Sequence, residues 1–231
     1  VEGSVFSVVE VESKPTQRNP APPFTTSTLQ QEAARKLGFN TRHTMSVAQK
    51  LYEGIDLGGE TVGLITYMRT DGVNMADQAM TACRDVVTAR FSSRHVPEAP
   101  RYYKSKAKNA QEAHEAIRPT DPARLPDDMA RRLNDDQRKL YELIWKRAVA
   151  SQMAAAQFKR TTIDIGSPDG QITLRITGSV LTFDGFLALY QEGRDDNGNG
   201  DDDKRLPDVA KGAALTRTLV TADQHFTEPP P

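Results

Sequence analysis

The chain has 231 residues, a formal net charge of −1, 37% hydrophobic residues and one cysteine. That length is enough for one large domain or two ordinary ones with a real core, and the near-zero charge means that contact with nucleic acid must come from local asymmetry. A single cysteine excludes an internal disulfide, and without a signal peptide or long apolar span the expected setting is reducing and cytoplasmic, away from membranes. The chain begins without methionine and stops at Glu228-Pro229-Pro230-Pro231, which reads as a piece of something longer.

Residues 3–12 alternate as one strand, and Pro15 to Pro23 read as an extended connection. Partners for that strand lie far downstream, at 161–165 and 171–176, either side of the turn residues Ser167-Pro168-Asp169-Gly170. Further β-type residues follow at 180–183 and 215–221, whereas 24–153 reads mainly as helix. The economical fold is α+β and multidomain: a β-rich hinge domain, 1–22 and 154–231, with a mainly helical domain, 23–153, inserted in it.

Within the helical part, Thr28–Leu37 is expected as a first helix capped by Ser27 and ended by Gly38, and Met45–Tyr52 as a second. Two short helices about a glycine turn resemble either a helix-turn-helix or an ordinary helical hairpin. Under the first reading Gly38, Arg42 and His43 are candidate DNA contacts.

Val62, Leu64 and Ile65 predict a short strand, on which Tyr67 and Arg69, two apart, share a face. Asp71-Gly72 supplies a turn, and Asn74 is placed to cap a helix with Met75, Ala79, Cys83, Val86, Val87 and Phe91 on its apolar side. Cys83 thus reads as a core thiol. A phenol is a weak nucleophile at neutral pH, its ordinary pKa being about 10. An always-charged guanidinium beside it suits a phosphodiester and the charge that builds as it is displaced. Equally, Tyr67 could pack in a core with Arg69 covering its ring.

Arg101 to Lys108 interleaves Tyr102 and Tyr103 with lysines, which fits either a sugar-phosphate chain with bases to stack on or a solvated loop anchored by its tyrosines. Residues 110–118 favour helix until Pro119, placing Gln111, His114 and Arg118 on one face. His114-Glu115 starts a zinc-protease signature, but Arg118 stands where the second histidine belongs, so no zinc site is assigned. Asn134 and Gln137 open a long helix to about Met153, on which Arg138, Trp145 and Arg147 read as surface and packing. The acidic run 192–203 has part of a calcium-loop spacing, but Leu206 occupies the position that needs a bidentate glutamate. It reads as a solvated loop.

Three stretches together resemble the bacterial type IA DNA topoisomerases: Pro23-Phe24-Thr25-Thr26-Ser27-Thr28-Leu29-Gln30-Gln31, Ile65-Thr66-Tyr67-Met68-Arg69-Thr70-Asp71 and Ala113-His114-Glu115-Ala116-Ile117-Arg118-Pro119. Their order along the chain agrees too, and the resemblance spans essentially all of it. It implies that Tyr67 attacks one DNA strand to form a 5′-phosphotyrosine, that Arg69 clamps the scissile phosphate, and that His114 contacts that region or assists proton transfer. Arg118, with Arg69 and His114, joins the candidate DNA contacts. The implied reaction relaxes negatively supercoiled DNA without ATP, on single-stranded or underwound DNA, in a nucleoid-associated enzyme. Such enzymes hold Mg²⁺ on acidic residues of a separate N-terminal Toprim domain; nothing in this sequence matches that domain or the remaining gate-forming domain. The resemblance therefore implies that this piece alone cleaves DNA poorly or not at all. Gly72 also stands where the family often has serine. From a different class, a non-catalytic single-stranded nucleic-acid-binding module would use Tyr67 to stack on a base.

Overall fold

A computed structural model of the chain describes residues 5–104, 115–191 and 206–216. In chain order its regular elements are β1 (Phe6–Arg18), α1 (Thr26–Leu37), α2 (Thr41–Glu53), β2 (Ile55–Asp56), β3 (Thr61–Val62), α3 (Asp77–Arg90), α4 (Pro126–Met129), α5 (Asp135–Ser151), β4 (Ala156–Gly166), β5 (Thr173–Phe183) and β6 (Ala214–Leu215), with 3-10 turns at Ser93–His95 and Gly185–Ala188. The fold mixes helices with antiparallel sheet and divides into two units.

One unit, with described residues within Val1–Thr16, Phe158–Val180 and Asn199–Pro231, is built on a sheet ordered β5-β4-β1-β6. Alternation along β1 buries Phe6 and Val8 and exposes Val5, Val9 and Val11, as a strand with one covered face requires. The strand runs on to Arg18 rather than ending near Glu12. Pro15 lies well past Phe6 and Ser7, which pair with β6, and past Val8, whose N–H donates to the Ala213 carbonyl at 3.0 Å. Between β4 and β5 the Ser167-Pro168-Asp169-Gly170 turn closes as its residues suggest. Gly170 donates to the Ser167 carbonyl at 3.0 Å and adopts φ 70°, which glycine takes without strain.

The other unit, with described residues within Gln17–Gln157 and Leu181–Gly198, is mainly helical. Helices α1, α2, α3 and α4 all pack on α5, whose Leu140, Tyr141, Ile144, Ala148 and Val149 are fully buried. Helix α5 begins where Asn134 and Gln137 cap each other's backbone N–H groups. Of the residues read as surface and packing, Trp145 and Arg147 prove to be packing, since both are buried. The Trp145 indole donates to the Pro122 carbonyl at 2.8 Å, and the Arg147 guanidinium lies 4.9 Å over the Phe24 ring and donates to the Pro22 carbonyl. Their partners come from distant chain, so helical periodicity alone could not reveal them.

Local chemistry also shifts the first two helices. Thr25, not Ser27, caps α1 through a reciprocal box with Thr28, and Asn40 accepts the His43 N–H to start α2 a turn earlier than expected. Gly38 ends α1 at φ 69°, left-handed, with its own N–H and that of Phe39 returned to α1 carbonyls. Cys83 is buried on α3, where desolvation pushes its thiol up to about 12. Among the described residues no helix is long and apolar enough to cross a membrane.

Candidate functional site

Tyr67 does not sit on a continuing strand. Strand β3 ends at Val62, and the chain from Gly63 to Gly72 is a loop whose backbone groups are claimed by different neighbours. The Leu64 N–H donates to the Leu51 carbonyl at the end of α2 (2.7 Å), and its carbonyl accepts from the Thr120 N–H (3.0 Å). The Thr66 N–H donates to the Arg118 carbonyl at 2.9 Å, and its hydroxyl accepts from the Arg118 N–H at 3.0 Å while donating to the Ala116 carbonyl at 2.7 Å. Further on, the Thr26 N–H donates to the Thr70 carbonyl at 2.9 Å. Gly63 lies so close to α2 that a Cβ there would stand 2.5 Å from the Tyr52 carbonyl oxygen. The loop is therefore pinned at nearly every turn although it has no ladder of its own.

Residues 115–119 differ more sharply from the sequence reading. They are extended, not helical: Asn74 bridges Glu115, Phe24 bridges Ile117 and Ile65 bridges Pro119. Alanine and glutamate favour helix, but here the backbone bonds to three other segments outweigh that weak preference. Gln111 and His114 lie outside the described residues, as do Ser105 to Lys108 and the acidic run 192–203. Helix α3 starts at Asp77, not after Asn74; Ala76 has no capping side chain, and the Glu115 carboxylate accepts its N–H at 2.8 Å.

What this weave presents outward is a short alternation. Met68 and Thr70 are buried, whereas Tyr67 is 49% exposed and Arg69 is exposed. Both side chains are thus open to solvent, although the backbone that carries them is not the predicted strand. Tyr52, at the end of α2, meets the Tyr67 ring edge to face with centroids 5.4 Å apart. Among the described residues Arg69 has no carboxylate partner.

The other tyrosines are differently placed. Tyr103 donates to the Ser151 carbonyl at 2.9 Å, and burial pushes its phenol up to about 12 against the pull of Arg101 and Arg147. Tyr141 donates to the Arg124 carbonyl, and burial raises it too. Tyr190 is raised first by burial and then by its bond to the Glu32 carboxylate at 2.7 Å. The exposed Tyr102 donates to Asp77, which raises its pKa. Each of these phenols is held as a donor, the wrong state for a nucleophile. In the Arg101–Lys108 stretch, Arg101 and Tyr103 anchor the loop, and Tyr102 is its outward aromatic.

The remaining candidate contacts are scattered. Arg118 donates to Glu115 through Nε and Nη2 (3.1 and 2.6 Å) and to the Pro119 carbonyl through Nη1, so its fork is occupied. His43 bonds Asp136 through Nε2 at 2.8 Å and lies edge to face on Phe39. Arg42 is exposed beside it. His43 and Tyr52 belong to opposite ends of α2, about 13 Å apart along its axis at the helical rise. Gly38, Arg42 and His43 are therefore not brought to the Tyr67 loop. Sequence reading passed over Thr26, Tyr52, Thr66 and Glu115, residues whose contacts with the loop or α3 are long-range. No group of three or more His, Cys, Asp or Glu side chains able to hold a metal comes together among the described residues.

A family model described as DNA topoisomerase matches residues 1–231. DNA topoisomerase 1 of Zymomonas mobilis is 57% identical over 235 residues, covering 100% of this chain and 18% of that protein. The Xylella fastidiosa and Rickettsia bellii proteins of the same name are 49% and 48% identical, over 97% and 98% of the chain and 28% of their own lengths. Among solved structures, full-length topoisomerase I from Thermotoga maritima matches with a TM-score of 0.76 and 35% identity, over 93% of this chain and 33% of that one. The chain thus spans between about a fifth and a third of the proteins it matches.

Proposed function

The chain belongs to the DNA topoisomerase family, as a piece of a bacterial type IA enzyme, and on that footing we propose that Tyr67 is the nucleophile of reversible single-strand DNA cleavage in the intact protein. The observation that carries this reading is the loop of residues 63–72, where backbone bonds to α1, α2 and residues 115–120 hold Tyr67 and Arg69 outward together. In the reaction, the Tyr67 phenol oxygen bonds to phosphorus as the bond from phosphorus to the 3′ oxygen breaks. The phenol gives up its proton and the departing 3′ oxygen gains one, leaving a 5′-phosphotyrosine and a free 3′-hydroxyl. Attack by that hydroxyl reverses the step, so no external energy source such as ATP is needed for religation.

Arg69 binds the non-bridging phosphate oxygens and stabilises the charge that builds on them during transfer. His114 contacts the strand near the scissile phosphate or passes a proton there. Passage of another strand through the transient break relaxes negatively supercoiled DNA. The helical unit carries the tyrosine and lifts during passage, and the sheet unit serves as its hinge. Mg²⁺ we assign to acidic residues of a Toprim domain elsewhere in the parent protein. By itself this piece is then expected to cleave DNA poorly or not at all.

The test is end-labelled single-stranded DNA with the intact protein and Mg²⁺, read on a denaturing gel. A covalent adduct through a 5′ phosphate that disappears in Tyr67→Phe is expected. A Tyr67→Phe protein that still forms the adduct, or a 3′-linked adduct, overturns the reading.

A further inference from the structure

Arg69 lies between two residues held by one hydroxyl. The Thr26 Oγ1 donates to the Met68 carbonyl at 2.8 Å, with the Thr70 carbonyl also within reach at 3.1 Å, and accepts from the Thr70 N–H at 2.9 Å. The Thr26 backbone N–H meanwhile donates to the Thr70 carbonyl at 2.9 Å. A single side chain in the first turn of α1 thus fixes the backbone on both sides of Arg69, across more than forty residues of sequence. Arg69 itself has no carboxylate partner among the described residues, so what fixes its place in the structure is the backbone on either side of it.

We infer that Thr26 is a positioning residue for the phosphate clamp: its hydroxyl sets the direction of the Arg69 guanidinium and so the alignment of the scissile phosphate against the Tyr67 oxygen. This inference rests on the reading of Tyr67 and Arg69 given above. The anchorage is strong enough for the task because α1 is itself capped by the Thr25 and Thr28 box and has Leu29 and Ala33 fully buried. Displacement of a reacting group by about 1 Å costs on the order of a hundredfold in rate, so a hydroxyl that holds the Arg69 backbone can matter although it touches no DNA. Thr26→Val keeps the side chain's shape and removes the hydroxyl, leaving the Thr70 N–H and the Met68 carbonyl to find other partners.

Single-turnover adduct formation on end-labelled single-stranded DNA by the intact protein tests this, with DNA affinity and thermal melting measured in parallel. Thr26→Val should cleave about tenfold more slowly, with affinity changed less than about twofold, and Thr26→Ser should restore the rate. The deciding measurement is a double-mutant cycle with Arg69→Lys, which keeps the charge but loses the planar fork. If Thr26 acts through Arg69, Thr26→Val should cost less than about threefold in that background. A Thr26→Val protein that cleaves at the wild-type rate, or a loss undiminished in the Arg69→Lys background, overturns the inference. If Thr26→Val is unfolded at the assay temperature, the same cycle is run with Thr26→Cys, whose thiol is a weaker donor; a wild-type rate there also overturns it. Absence of an adduct from the wild-type protein overturns the Tyr67 reading and takes this inference with it. An adduct in wild type that Thr26→Val matches removes this inference alone.

Discussion

The loop around Tyr67 and the turn between α1 and α2 carry similar chemistry: an exposed arginine in each, beside a tyrosine in one and a histidine in the other. They differ in where their stability comes from. The backbone of the α1–α2 turn is locally satisfied, since Gly38 and Phe39 return their N–H groups to α1 and Asn40 caps α2, while the His43 side chain is taken by Phe39 and by Asp136 of α5. The Tyr67 loop draws its order from backbone bonds to remote segments, so its exposed side chains are not consumed in holding it. An arginine is available for a ligand when something other than its own side chain holds the chain in place. Arg69 meets that condition; Arg118, whose guanidinium ties Glu115 and Pro119, does not.

The largest expected effect is that of Tyr67→Phe, which should lower covalent adduct formation by at least about 1,000-fold while DNA affinity stays within about twofold. Loss of DNA binding in that variant would erase the distinction between nucleophile and stacking residue. Arg69→Ala comes next and should slow single-turnover cleavage by about 100-fold, whereas Arg118→Ala should act mainly on stability, costing about 1–3 kcal/mol in denaturant titration. Equal kinetic losses from the two would show that Arg118 also reaches the phosphate.

A stability effect at high pH comes from the interior groups against which Tyr67 stands out, and it leaves cleavage at neutral pH untouched. Burial raises Cys83 from 9.0 to about 12 and Tyr103 from 10.0 to about 12. Raised acids hold their protons more tightly in the folded state, so their contribution is complete below pH 9 and lost as pH rises through about 12. Urea titrations should show the unfolding free energy falling across that window, and a thiol reagent at pH 8 should label Cys83 only on unfolding. The smallest effect is expected from His43→Ala: a half-exposed hydrogen bond to Asp136 is lost, stability changes by about 0.5 kcal/mol or less, and cleavage is unchanged. A tenfold loss of cleavage there would place the α1–α2 turn on the DNA path.

The sequence by itself determined the local features. The Asn134 and Gln137 box, the glycine that ends α1 and the Ser167–Gly170 turn each depend on residues within a few positions of one another. Three motifs in order also sufficed to mark the family, since a match to all three is far less accidental than any one. Only the tertiary structure decided that residues 115–119 are extended, that Trp145 and Arg147 are core, and that Thr26 brackets Arg69. Backbone donors and acceptors are alike at every residue, so their choice between a local helix and a distant strand leaves little trace in side-chain pattern. Burial of the whole unit fixes that choice, because it brings Phe24, Thr66 and Ile117 within bonding distance of one another's segments.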